Sequence, residues 1–180
     1  MAQAGAPQTT LPVLRGVIFI AVYAALQALW GHARGTVVER VLIDRVTVGS
    51  AAALVNIITP QIQAQADGTR IRAAGGGLNI LNGCEGVEVL FLLAAAFAAA
   101  PLPGRRRWPG LASGVLYVFA LNQARILMLF YAYRADKALF DLLHGTVAPV
   151  VLIALTAVFF LAWTQASRLA QSPDHATAAA

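Results

Sequence analysis

A chain of 180 residues with 59% hydrophobic and 12% charged residues and a mean hydropathy of +0.69 reads as an integral membrane protein, because soluble domains carry charge on about a quarter of their residues. A single cysteine excludes an internal disulfide and a several-cysteine zinc site. His32, His144 and His175 are too scattered for metal-ligand spacing, so no metal or cofactor is expected. The formal charge of +5 comes mostly from arginine; no nucleic-acid-binding module is visible, and the partners expected from composition are membrane lipids.

In chain order, the first apolar run covers about residues 12–30. Its n-region holds only Arg15 and no small-x-small cleavage site follows Trp30, so it reads as a retained span in preference to a signal peptide. The run "SAAALVNIITP", residues 50–60, is short, carries Asn56 and stops at Pro60; it reads as an amphipathic, interfacial or re-entrant helix. Thr69-Arg70-Ile71-Arg72 and Leu78-Asn79-Ile80 then alternate polar with apolar around Gly75-Gly76-Gly77, which predicts a β-hairpin leading to Cys84. Three more spans follow at about 84–100, 110–131 and 145–164, each near the roughly 20 residues a bilayer core demands. The expected fold is an all-α integral membrane protein with about four transmembrane helices, a short amphipathic helix and a β-hairpin on the outer face. Residues 1–170 form a single membrane-embedded domain and 171–180 a disordered tail.

With the N-terminus inside, Arg15, the Arg105-Arg106-Arg107 loop and Arg168 all fall on the cytoplasmic side, as the positive-inside rule prefers. A span at 50–60 would put the arginine triplet outside. The outer loop holds Arg34, Arg40, Arg45, Arg70 and Arg72, partly offset by Glu39, Asp44 and Asp67.

This topology brings three reactive residue types to one depth. At the α-helical rise, Cys84 stands about 24 Å above Ala100, Arg125 about 25 Å above Trp108, and His144 about 28 Å above Trp163. A thiolate is a nucleophile that forms where a cation or base stabilises it. An imidazole titrates nearest neutral pH and can carry the proton. Arg125 stays protonated, so its expected work is to stabilise a thiolate or an oxyanion. Asn122 shares its helical face, and Glu85 and Glu88 are supporting candidates or structural partners of arginines. Spacing alone leaves three readings open: a cysteine enzyme, a non-catalytic scaffold held by an Arg/Glu/His network, and a small transporter using the same charges.

The stretches "GGGLNILNGCEGVEVL", "LNQARI" and "LLHGTVAP" resemble the exosortase/archaeosortase family of membrane-embedded cysteine transpeptidases or proteases. Its Cys in a C-x-G setting matches Cys84 with Gly86, its Arg in N-x-x-R matches Asn122 with Arg125, and its His on the following helix matches His144. The chain is shorter than typical exosortases and looks like the compact exosortase H subfamily, associated with an IPTL-type C-terminal signal; Glu85 stands where many relatives have Ser. The resemblance implies catalysis by Cys84, Arg125 and His144 at the periplasmic face of a bacterial inner membrane. It implies substrates that are secreted proteins ending in a short motif, a transmembrane helix and a basic tail.

Overall fold

A computed structural model describes residues 10–80 and 86–170. Cys84, Glu85 and the expected tail 171–180 lie outside the described residues. The described chain runs α1 (Thr10–Ala33), α2 (Val37–Ile58), β1 (Gln65–Asp67), β2 (Arg70–Arg72), β3 (Leu78–Asn79), α3 (Val87–Ala99), α4 (Gly104–Ala135) and α5 (Lys137–Leu169). By length and composition α1, α2, α4 and α5 are the four helices able to cross a membrane, while α3 is shorter. The chain is therefore a multi-pass, all-helical membrane protein with one small sheet.

The membership of that set differs from expectation. The short helix expected at 50–60 begins at Val37, because Thr36 caps it: the Val38 amide donates to Thr36 Oγ1 at 3.2 Å, and Glu39 reaches back to the Gly35 amide at 2.6 Å. This variant of the capping box turns charged residues that interrupt the apolar pattern into one face of a helix. Ile43, Thr47, Val48, Ala51, Ala52 and Val55 form the opposite, buried face. That face packs with Trp30 of α1 and with Ile126, Leu129 and Phe130 of α4. Thr59, at its end, meets Tyr131 hydroxyl to hydroxyl at 2.6 Å, and Trp30 meets Phe91 of α3 edge to face. The segment between α1 and α3 thus leaves and returns at the same end of the bundle.

That end carries an antiparallel three-stranded sheet of order β1-β2-β3. The expected hairpin is the β2–β3 pair, with Arg70 opposite Asn79 and Ile71 opposite Leu78; β1 was not expected. Asn56 ties β1 to α2 by two bonds with Ala64, at 2.8 and 2.7 Å. Arg134 of α4 donates to the carbonyls of Ala74 and Gly76, both at 2.7 Å, and so holds the glycine-rich loop.

At the opposite end Pro101 and Pro103 separate α3 from α4. Arg107 donates to the carbonyls of Ala100 and Leu102 there, each at 3.1 Å. α4 then packs through glycine. A Cβ on Gly110 would meet Trp163 Nε1 and stand 2.7 Å from Phe97; one on Gly114 would stand 2.6 Å from Leu93 and 2.9 Å from Phe159. Small residues at this spacing let helices approach in a membrane, where no hydrophobic drive separates helix from lipid. We expect Gly110→Val to destabilise the bundle by about 1–3 kcal/mol, read as a lower thermal unfolding midpoint in detergent. Gly16→Val, with no neighbour within 4 Å, should leave that midpoint in place.

Candidate active site

Of the residues singled out by sequence, the described ones, Glu88, Asn122, Arg125 and His144, lie at or beside the sheet-bearing end. α4 supplies Asn122 and Arg125, both buried, at 2% and 8% exposure. One helical turn apart, they point to one face. Gln123, also buried, faces α2 and donates to the Thr47 carbonyl at 3.4 Å. Polar groups at this depth are costly unless they find partners or bound substrate. Among the described residues, Asn122 Oδ1 and Gln123 Oε1 are buried without a hydrogen-bond partner.

Asn122 abuts Gly86, the residue that opens α3. Gly86 has φ +77°, and a Cβ there would stand 2.9 Å from Asn122 Cγ and 3.0 Å from Oδ1. Both the left-handed backbone and the close approach demand glycine. Gly86, Val87 and Asn122 line a cavity of about 70 Å³ with Ile43 and Thr47 of α2. Gly86 follows Cys84 by two residues in the chain, so the C-x-G spacing has a structural reason at its glycine.

His144 lies half-buried in a π-helical turn, Leu143–Val147, within α5. Pro149 accounts for the turn: it has no amide for the ladder and its ring crowds the carbonyl one turn back. The Ala148 amide accordingly bonds to Leu143, five residues earlier. The imidazole stacks on Phe140 at 5.3 Å and 6°, which sets its plane. Leu143 packs into the cluster that holds Ile126 and Leu129. Arg125 lines a cavity of about 210 Å³ with Val147 and Ala148. The sequence separation from Gly110 to Arg125 equals that from Trp163 to Ala148, so the antiparallel α4 and α5 stay in step from their contact at Gly110 to the site.

Glu88 takes another course. It is exposed on the first turn of α3, where the helix dipole favours a carboxylate, and among the described residues it forms no ion pair. Sequence reasoning missed Thr47, which stands in "DRVTVGS" outside the expected spans, and Gln123, whose only signal was the polar pair "NQ" inside an apolar span. It also missed Arg134, which reads as one more terminal arginine. Among the described residues no His/Cys/Asp/Glu group has the geometry of a metal site.

Set against known families, residues 13–162 match the family described as transmembrane exosortase (Exosortase_EpsH). No curated protein and no solved structure matches the chain.

The Gly86–Asn122 contact generates a measurement. Gly86→Ala adds a Cβ to a left-handed residue against a buried amide and should cost about 1–3 kcal/mol. In Asn122→Ala the two closest contacts are gone and only the Cβ, at 3.2 Å, remains, so adding Gly86→Ala on that background should cost less than in the wild type. A double-mutant cycle on thermal midpoints reads the coupling; additive effects would mean the two residues do not touch.

Proposed function

The chain belongs to the transmembrane exosortase family, and we propose that it is a cysteine peptidase or transpeptidase that cuts the C-terminal sorting signal of secreted proteins at the sheet-bearing end of its bundle. The observation that carries this reading is the packing of Gly86, two residues beyond the only thiol, against Asn122, one turn before Arg125 on the helix that runs in step with that of His144.

In this mechanism His144 takes the proton from Cys84 Sγ, and the thiolate attacks the scissile carbonyl carbon. The oxyanion of the tetrahedral intermediate meets the Arg125 guanidinium, with the Asn122 amide beside it. Collapse breaks the C–N bond, and His144 gives its proton to the departing amine. The thioester left on Cys84 passes to water, or to an acceptor amine in a transpeptidation. Glu85 is a supporting residue beside the nucleophile; Glu88, on the exposed first turn of α3, serves the helix terminus.

The substrate in this reading is a secreted protein with a short IPTL-type motif, a transmembrane helix and a basic cytoplasmic tail. The sheet-bearing end faces the periplasm of a bacterial inner membrane. Supporting that orientation, Arg105-Arg106-Arg107 occupies the first turn of α4 at the opposite end, and Arg168 lies in the last turn of α5, the distribution the positive-inside rule prefers.

Processing of a co-expressed substrate, followed by the mass of its new C-terminus, tests the proposal. Cys84→Ala should abolish processing at normal membrane abundance, and Cys84→Ser should retain little, since a hydroxyl ionises far less readily than a thiol. Arg125→Lys should lose most activity, roughly a hundredfold, because a point charge does not reproduce the planar donor fork. Normal processing by Cys84→Ala would refute thiol chemistry, and wild-type rates for Arg125→Lys would leave a Cys84–His144 dyad. Orientation has its own test on a Cys84→Ala background. A cysteine introduced at Asp136 should react with an impermeant thiol reagent added to spheroplasts, and one at Arg105 should resist it. The reverse pattern would put the site in the cytoplasm.

A further inference from the structure

Beside the site, β2, β3 and the facing ends of α4 and α5 enclose a groove of about 600 Å³, lined by Arg70, Arg72, Leu78, Asn79, Tyr133 and Phe140 among others. That volume falls in the range of sites that take a sizeable ligand. We propose that this groove is the subsite that holds an extended, acid-bearing stretch of the substrate next to the bond to be cut, an inference that rests on the peptide-cutting reading above.

Three features of the groove fit that occupant. The first is its connection to the chemistry. Tyr133 and Phe140 both line it, ring to edge at 5.2 Å, and Phe140 also stacks on His144 at 5.3 Å. β3 lines it as well, and leads in sequence through Ile80 toward Cys84. A chain lying in the groove therefore runs alongside both the helix that bears the base and the strand that precedes the nucleophile.

The second feature is charge. Arg72 forms an ion pair with Asp67, whereas Arg70, exposed and opposite Asn79 in the register, takes part in no ion pair among the described residues. A cation held on a strand beside aromatic walls selects a carboxylate in the bound chain over its amide. The third is backbone geometry. Among the described residues β3 pairs on one side only, with β2, and an extended peptide is the ligand that can use an edge strand. Gly77 keeps the turn into β3 tight, since a Cβ there would collide with the Ile71 carbonyl. Arg134 locks the preceding loop from the helix side, so the groove has a preformed wall.

The test uses the full chain with Cys84→Ala, in phospholipid nanodiscs, with Asn79 replaced by the photocrosslinker p-benzoylphenylalanine. The probe is a library of membrane-anchored peptides: a randomised stretch, then a leucine–alanine helix long enough to span the bilayer, then a lysine tail. After irradiation the captured peptides are sequenced by mass spectrometry. We expect Asp and Glu to be enriched about threefold over the library, the magnitude of a partly exposed ion pair. The enrichment should shrink as salt rises and disappear with Arg70→Gln. Capture without acidic enrichment, enrichment unchanged by Arg70→Gln, or adducts with lipid alone would each overturn the proposal. Capture needs no thiol, so the two readings fail separately. Selective capture by a chain whose wild-type form cuts no substrate would refute the cutting reading alone. Unselective capture by a chain that cuts normally would refute the groove alone.

Discussion

The close packing of α3 and α5 on the glycines of α4 is the contact from which the rest of the bundle takes its register. With Phe97 and Trp163 against Gly110, and Leu93 and Phe159 against Gly114, three helices are locked near the arginine-rich end. Trp163 adds an indole hydrogen bond to the Arg106 carbonyl at 3.1 Å. Helices are stiff, with a fixed rise per residue, so this contact determines which residues face one another several turns away. Gly86 meets Asn122, and Arg125 shares a cavity with Ala148, because α3 and α5 have no freedom to slide along α4.

Above that contact the buried amides and the buried guanidinium gather at one level. Thr47, Asn122, Gln123 and Arg125 are all buried, whereas below them the buried polar groups are small hydroxyls, Thr156, Thr164 and Ser167, beside a cluster of Val89, Leu93, Phe97, Val118 and Leu152. Such a belt is costly in a bilayer. It lies between a tightly packed lower half and the sheet-bearing end, where the groove opens. In the proposed mechanism this burial strengthens the guanidinium's hold on a developing oxyanion, and the proposed peptide enters from the groove side.

Two departures from regular helix shape the walls of this region. Pro149 forces the π turn that carries His144, and α2 runs as a π helix from Val41 to Gly49, where the Thr47 hydroxyl donates to the Leu42 carbonyl at 2.9 Å. Both widen the helix by an extra residue per turn and redirect side chains that a regular helix would aim elsewhere. On α2 this keeps Ile43, Thr47 and Val48 on the buried face; on α5 it leaves His144 stacked on Phe140.

Hydropathy and local pattern alone determined the membrane class, the helical spans at the N-terminus and in the second half, the β2–β3 hairpin and the family, whose motif residues are contiguous in short stretches of chain. These properties are local: a bilayer demands long apolar runs, and alternation with glycine predicts a hairpin. The same reading lost the first half of α2, because Glu39, Arg40, Asp44 and Arg45 look like a loop until Thr36 caps them into one helical face. It lost β1, whose stability comes from Asn56 on a distant helix. The thiol and Glu85 lie outside the described residues, so their part of the site is legible in sequence alone. Only the tertiary structure decided that Gly86 lies against Asn122, that Arg134 clamps the hairpin and that a groove opens beside His144. Each joins residues far apart in the chain, and the helix register that brings them together is set at Gly110 and Gly114, by a packing contact that no pattern of spacing records.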